Sequence, residues 1–467
     1  MTTTAQRPPT IPGAAPLTSG PIGRTLFLFS LPILASSVLQ SLNASVNAIW
    51  IGHLLGEHAL TASANANSLL FFLLGSVFGL SMASTVLVGQ SVGSGNLDQA
   101  KRTVGTSLTF FVVIAILAAS AGIFFAPHIL TAMHTPEDAL PLASAYLRVI
   151  FVALPGMYLY SFVMMSLRGA GDAKTPFVFL LFSVLLDIGL NPLLIRGFGP
   201  IPALGIAGSA LATAIAQWTS LVALMIHLYR SKHFLRLTRG EAHYLRVDRT
   251  ILRALIFKGI PMGLQMIVMT SSMLVMISFV NRFGSRVTAA YGACTQLWNY
   301  VQMPAFSIGA AVSSMAAQNV GARLWDRVTQ IARTGVLLNV ATTGLLVVIT
   351  TLLDHAAFGL FLGNNLEAIG IAQHIHHVVS WSLILFGASI VLSGVVRATG
   401  SVVPPLLILF FALWVVRIPL AYGLAPRWGA EALWWSFPIA SIISLILTVA
   451  YYRFGGWRGA RMLTPAT

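Results

Sequence analysis

Ser183, Asp187 and Asn191 recur at steps of four in the stretch SVLLDIGLNP, residues 183–192. That spacing puts an alcohol, a carboxylate and an amide on one face of a helix. The stretch lies in an apolar run, Thr175–Ile195, wide enough to cross a bilayer. A carboxylate inside hydrocarbon costs at least ~2.5 kcal/mol on insertion scales, so such a group faces a cavity or a partner. Of the twelve acids in the chain, eleven fall in loops, tails or helix ends, and Asp187 is the exception. Burial among neutral partners favours the protonated form of a carboxylate, which lets it load and release a proton. With amide and hydroxyl oxygens beside it, the same carboxylate could instead hold Na+. The structural alternative, an acid that only ties helices together, is disfavoured because an Asn would do that at lower cost.

Helical rise places the partners. Asp187 is nine residues, ~14 Å, from Arg196 at one end of its helix, and Asn47 is six residues, ~9 Å, from His53. Thr213 lies ten residues, ~15 Å, into a run that starts near Ala203. Asp187, Asn191, Asn47 and Thr213 can therefore share one level as a cation-coupling set. A second group of candidates would line a substrate cavity. Met262, Met266, Met269, Met273 and Met276 form one stripe at steps of four and three, and Met suits a wall that accepts many shapes. Packing against lipid or a neighbouring helix explains the stripe equally well. Gln265, Met269, Met273, Tyr291, Gln296 and Asn299 are the residues expected to meet substrate, with aromatic groups available for cation–π contact. His374, His376 and His377 read as a polar cluster at the membrane interface, because no third-ligand geometry or cysteine supports a metal site.

The elements that must position these groups are apolar and helical. Charged residues make up 8% of the 467 and hydrophobic residues 57%, which excludes a string of soluble domains. Twelve hydrophobic segments follow one another, so the expected fold class is an all-α polytopic membrane protein. The single Cys294 rules out an intrachain disulfide and reads as a buried thiol. A net charge of +15 is not a nucleic-acid signal, because Lys and Arg cluster in alternate connections. One side of the membrane receives 21 of the 27 basic residues, and that side includes both termini, which are expected to be cytoplasmic. Residues 1–20, rich in Thr, Pro and Gly, are expected to be disordered. Residues 21–229 then form a first lobe, 230–250 a basic linker near lipid headgroups, 251–454 a second lobe, and 455–467 a tail.

The halves repeat. Arg168 and Arg397 stand 229 positions apart in LRGAGDAKTP and VRATGSVVPP, as do Pro32 and Pro261. Gln90, Gly93 and Asp98 answer Gln318, Gly321 and Asp326 at 228. Three blocks at one offset indicate duplication. Six crossings per half give both copies the same orientation, with a pseudo-two-fold axis along the membrane normal and a cleft between two bundles.

The blocks VNAIWIG (46–52), VGQSVGSGNLDQAKR (88–102), LRGAGDAKTP (167–176), LDIGLNPLLI (186–195), GIAGSALAT (205–213) and AAQNVGA (316–322) resemble the multidrug and toxic compound extrusion (MATE) family of antiporters. The resemblance spans about residues 20–455. It implies two six-helix lobes, a V-shaped cavity, and export of amphipathic, often cationic, compounds driven by H+ or Na+. No cofactor is implied beyond that ion, and no enzymatic activity. The expected setting is a bacterial inner membrane, with membrane lipids and small amphipathic substrates as partners, no nucleic acid, and a monomer. The sequence departs from the family where an aspartate is usual: Asn47 stands in the first helix, and Asp187 precedes Asn191-Pro192 rather than the reverse. One carboxylate among neutral oxygens halves the charge available to a bare cation, so H+ is the expected coupling ion and Na+ the alternative. A flippase for lipid-linked sugars, from the same superfamily, is the competing function. Arg148 and Arg417 are the only basic groups offered for pyrophosphate. A membrane enzyme, receptor or channel is disfavoured by short outer connections and by the two-lobe repeat with one deep acid.

Overall fold

The computed structural model describes residues 17–132, 140–197, 199, 202–363 and 365–463. Long apolar runs with no room for exposed backbone donors become helices, the form that satisfies its own hydrogen bonds in lipid. The first repeat comprises α1 (Ile22–Leu55), α2 (Glu57–Gly93), α3 (Leu97–Ala132), α4 (Leu140–Gly169), α5 (Lys174–Arg196) and α6 (Ile206–Arg230). The second comprises α7 (Arg249–Val280), α8 (Ser285–Gly321), α9 (Trp325–Leu352), the short α10 (Asp354–Leu362), α11 (Leu366–Val379), α12 (Ser382–Ala398), α13 (Val403–Phe410), α14 (Ile418–Trp428) and α15 (Glu431–Phe454). Among the described residues nine spans are long and apolar enough to cross a membrane, and α11 with α12 form a tenth, bent by 46°. The remaining two crossings are α2 and α8, 37 residues each. All twelve expected segments are therefore helical, in a fold of twelve crossings and two lobes.

Prolines within the crossings mostly do not break them. Pro32, Pro155, Pro192, Pro261, Pro304 and Pro438 all lie inside continuous helices. Pro419 is different. It follows a π-helix, Phe411–Arg417, which joins α13 to α14. A proline has no N–H to give and its ring crowds the carbonyl four residues back; a widened turn before it relieves both constraints.

Two units emerge, and their boundaries differ from the expected linker. One holds residues 35–260, the other 17–34 with 261–463, so α1 and α7 each change units along their length, at Leu34/Ala35 and Ile260/Pro261. In the first unit α4 packs against α2, α3 and α6, around Leu147, Ile150, Phe151 and a stacked Phe111–Phe162 pair. Close approach of α5 and α6 depends on Gly208, where a Cβ would meet the Leu194 carbonyl oxygen at 2.4 Å. In the second unit α12 packs against α8, α9 and α15.

The duplication is visible in the backbone itself. After α2, the N–H groups of Ser94, Gly95 and Asn96 bond to the carbonyls of Gln90, Val92 and Ser91; after α8, Ala322, Arg323 and Leu324 bond to Gln318, Val320 and Asn319. Gly95 and its counterpart Arg323 both adopt positive φ, 72° and 59°. Gly171 and Gly400 do the same at 95° and 102° in the second repeated turn. The GSGNLDQA stretch is thus a helix end and a helix start, with Asn96 Oδ1 accepting from the Gln99 N–H at 2.9 Å.

The ends of the lobes are better anchored than the sequence implies. Residues 1–16 of the expected tail lie outside the described residues, as do 464–467, but Leu17 is buried. Its N–H donates to Gln318 Oε1 at 3.0 Å and its carbonyl accepts from Asn319 Nδ2 at 3.1 Å. The basic linker also folds back on its own unit. A 3-10 helix, Arg239–Leu245, lies on α3, where the Lys101 ammonium meets Glu241 at 2.5 Å and Thr109 Oγ1 donates to the Leu245 carbonyl at 2.8 Å. Donation from Lys101, with the Thr238 N–H second, pulls the Glu241 carboxyl down from 4.5 to about 2.

Candidate functional site

The site assembles inside the first unit from three helices. α5 carries Asp187, 2% exposed, in the middle of the span, with Ser183 and Asn191 on the same buried face. α1 brings Asn43 and Asn47, one turn apart, and α6 brings Thr213. Asn43 Nδ2 and Asn47 Nδ2 donate to one carboxylate oxygen at 2.8 and 2.9 Å. Asn191 Nδ2 and Thr213 Oγ1 donate to the other at 3.2 and 3.1 Å. Asn191 also reaches Asn47 Oδ1 at 3.0 Å, closing the ring of partners. Every hydrogen-bond partner of Asp187 among the described residues is neutral, and Arg148 is exposed.

The structure thus brings together all four members of the coupling set, and adds Asn43. The signal for Asn43 was present in the sequence: it precedes Asn47 by four in SLNASVN, on the same helix face. Two buried acceptor oxygens of this ring, Asn43 Oδ1 and Asn191 Oδ1, have no hydrogen-bond partner among the described residues. The shell is therefore amphoteric. It offers donors to an ionised carboxylate, and its free amide oxygens can accept from a protonated one or from a cation.

The substrate-cavity candidates are dispersed. Gln265 is buried and accepts from Arg397 Nη1 at 2.9 Å, which commits its oxygen. Tyr291 is buried in the second unit's core, stacked on Trp434 at 5.8 Å. Met273, Gln296 and Asn299 are exposed, and Met269 is half-buried. The methionine stripe is not one surface either: Met262 and Met276 are buried while Met273 is not. The histidines also part company. His376 is fully buried, accepting from Trp298 Nε1 at 3.2 Å, rather than interfacial as the cluster suggested. His374 and His377 pair with Glu431 and Asp354 at 2.6 and 3.0 Å. Cys294 is buried, its thiol on the Ala372 carbonyl at 3.2 Å.

A duplicated bundle of apolar helices with an acid at mid-span, wrapped in neutral polar side chains, is the construction of a membrane transporter. Comparison with known proteins agrees. The MatE family model matches residues 32–193 and again 261–423. The chain is 39% identical to the probable multidrug resistance protein YoeA of Bacillus subtilis over 93% of its own length and 94% of that protein's. It is 29% identical to the probable multidrug resistance protein YpnP of the same organism, over 96% and 98%. Its fold matches the outward-facing structure of a multidrug resistance MATE family transporter with a TM-score of 0.87, at 18% identity, covering 95% of this chain and 98% of that one. The chain belongs to the MatE family; it is a multi-pass membrane transporter and not an enzyme.

Proposed function

We propose that the protein exports amphipathic, often cationic, small molecules in exchange for protons by alternating access, with Asp187 as the coupling carboxylate. The multidrug resistance names of its relatives support the substrate class. The observation that carries the coupling reading is the ring of Asn43, Asn47, Asn191 and Thr213 around one buried acid. As a carboxylate, Asp187 accepts from all four. As an acid, it needs one acceptor, and the free oxygens of Asn43 and Asn191 provide it after a small amide rotation. No guanidinium or ammonium holds it permanently ionised among the described residues, so both protonation states stay within reach. The chain acts as a monomer in the inner membrane with both termini in the cytoplasm, a placement supported by the 21 basic residues on that side.

Na+ is the second reading, favoured by the same unpaired oxygens, since a hard cation takes carbonyl and carboxylate oxygens as ligands. Proteoliposomes loaded with a fluorescent cationic dye separate the two. A pH jump should drive efflux in Na+-free buffer, and Asp187→Asn should abolish it. Efflux that requires Na+ and ignores the pH jump would replace the proton with sodium, and unimpaired efflux by Asp187→Asn would remove the site.

A further inference from the structure

The second unit also has an ionisable residue at mid-span, and among the described residues no acid balances it. Arg417 is 6% exposed at the end of the π-helix. Its guanidinium carbon sits 3.3 Å above the ring of Phe437. Around Phe437 lie Trp298 at 5.5 Å and Tyr291 at 6.3 Å. The acids numbered within this unit are Asp326, Asp354, Glu367 and Glu431. Asp354 is occupied by His377 and Gln373, Glu367 by Arg286, and Glu431 by His374. Asp326 is exposed in the first turn of α9. The Tyr291 hydroxyl lies within electrostatic reach of the Arg417 guanidinium, yet two of its nitrogens, Nε and Nη2, are buried without a hydrogen-bond partner among the described residues. These are the two N–H groups of the side-on edge, the fork that matches both oxygens of a carboxylate.

The position of Arg417 in the repeat adds a second, independent observation. Counted from the matched residues Arg168 and Arg397, Asp187 lies 19 positions on and Arg417 lies 20. The π-helix over 411–417 absorbs the extra residue, because a wide turn is a one-residue insertion in an α-helix. The family match shows the same step: its two spans start 229 residues apart, 32 against 261, and end 230 apart, 193 against 423. Arg417 therefore occupies the place in the second repeat that Asp187 occupies in the first. Arg397, the other buried arginine of the unit, differs in that it donates to Gln265.

We infer that the second unit holds a subsite for a carboxylate carried on an aromatic body, clamped by the side-on edge of Arg417 and flanked by Phe437, Tyr291 and Trp298. The inference rests on the export reading and narrows it: among amphipathic substrates, those bearing a carboxylate beside their cationic group gain a second anchor. A buried guanidinium with an open fork is costly to leave unserved, and widened turns of this kind cluster at functional sites.

Rhodamine 110, a free carboxylic acid, and rhodamine 123, its methyl ester, test this with one chemical change. Dye anisotropy is titrated against the full-length protein in nanodiscs, with empty discs subtracted and no ion gradient. Wild type should bind the acid at least about tenfold more tightly than the ester, the value of one charge-assisted hydrogen bond. Arg417→Gln should bring that ratio close to one, and Arg417→Lys should keep part of it. Equal affinities in wild type, or a ratio unmoved by Arg417→Gln, would overturn the subsite; the wild-type comparison stands even if the glutamine variant does not fold. Asp187→Asn should preserve the binding ratio while losing transport of both dyes, so a failure of the coupling reading is seen separately.

Discussion

Two units built from one repeat solve the problem of a buried charge in opposite ways. In the first, Asp187 is served by Asn43, Asn47, Asn191 and Thr213, with donors on both carboxylate oxygens. In the second, Arg417 has an aromatic face beneath it and an open pair of donors. In the first arrangement the chain itself supplies every donor the carboxylate uses, which suits a group that changes its own proton. The second is incomplete, and suits a group that waits for something brought from outside. Duplication thus preserved the helices and turns while the chemistry at the matched position diverged, sign of charge included.

Four measurements break or sharpen that contrast. The largest effect is expected from Asp187→Asn, which removes the ionisable group of the first site; pH-driven dye efflux should fall to background while the protein keeps its fold by circular dichroism. Next comes Asn43→Ala. Loss of one hydrogen bond to a charged group is worth roughly 1.5–3 kcal/mol, so coupled efflux should drop at least about tenfold. An unchanged rate would show that Asn43 is a bystander and that the ring closes without it.

Inserting a second alanine after Ala412 addresses the second site. It adds a residue beyond the one the widened turn already absorbs and turns Arg417 by about 100°. The acid-over-ester preference should disappear, with dye-ester binding retained as the check on folding. The smallest effect belongs to the linker. Glu241 has its carboxyl depressed from 4.5 to about 2 by Lys101 and the Thr238 N–H. Its contribution is therefore fully present above 4.5 and is lost as pH falls toward 2. At about 1 kcal/mol or less for a partly exposed pair, Glu241→Gln should modestly increase hydrogen exchange of residues 239–245 at neutral pH, and the difference from wild type should vanish near pH 2.

Much of this was legible in the amino-acid string. Apolar run lengths determined the helices, because a chain in hydrocarbon has few ways to satisfy its backbone. Matching turns at 228 and 229 determined the duplication, and the steps of four at Ser183, Asp187 and Asn191 determined the polar face. Helical rise placed Asn47 and Thr213 level with Asp187. The string is silent where a side chain's direction matters. Gln265 is expected to face substrate, and the structure adds a donor that periodicity could not name, Arg397, 132 positions away. His376 looked interfacial, yet it is held beneath Trp298.

Periodicity within one helix reports which residues share a face, and it needs only the sequence. Which face meets which neighbour depends on how helices far apart in the chain rotate against each other. That rotation turned Asn43 toward Asp187, and a single widened turn set Arg417 at the place its repeat partner holds. Packing across the bundle decided both, and no local pattern carries that information.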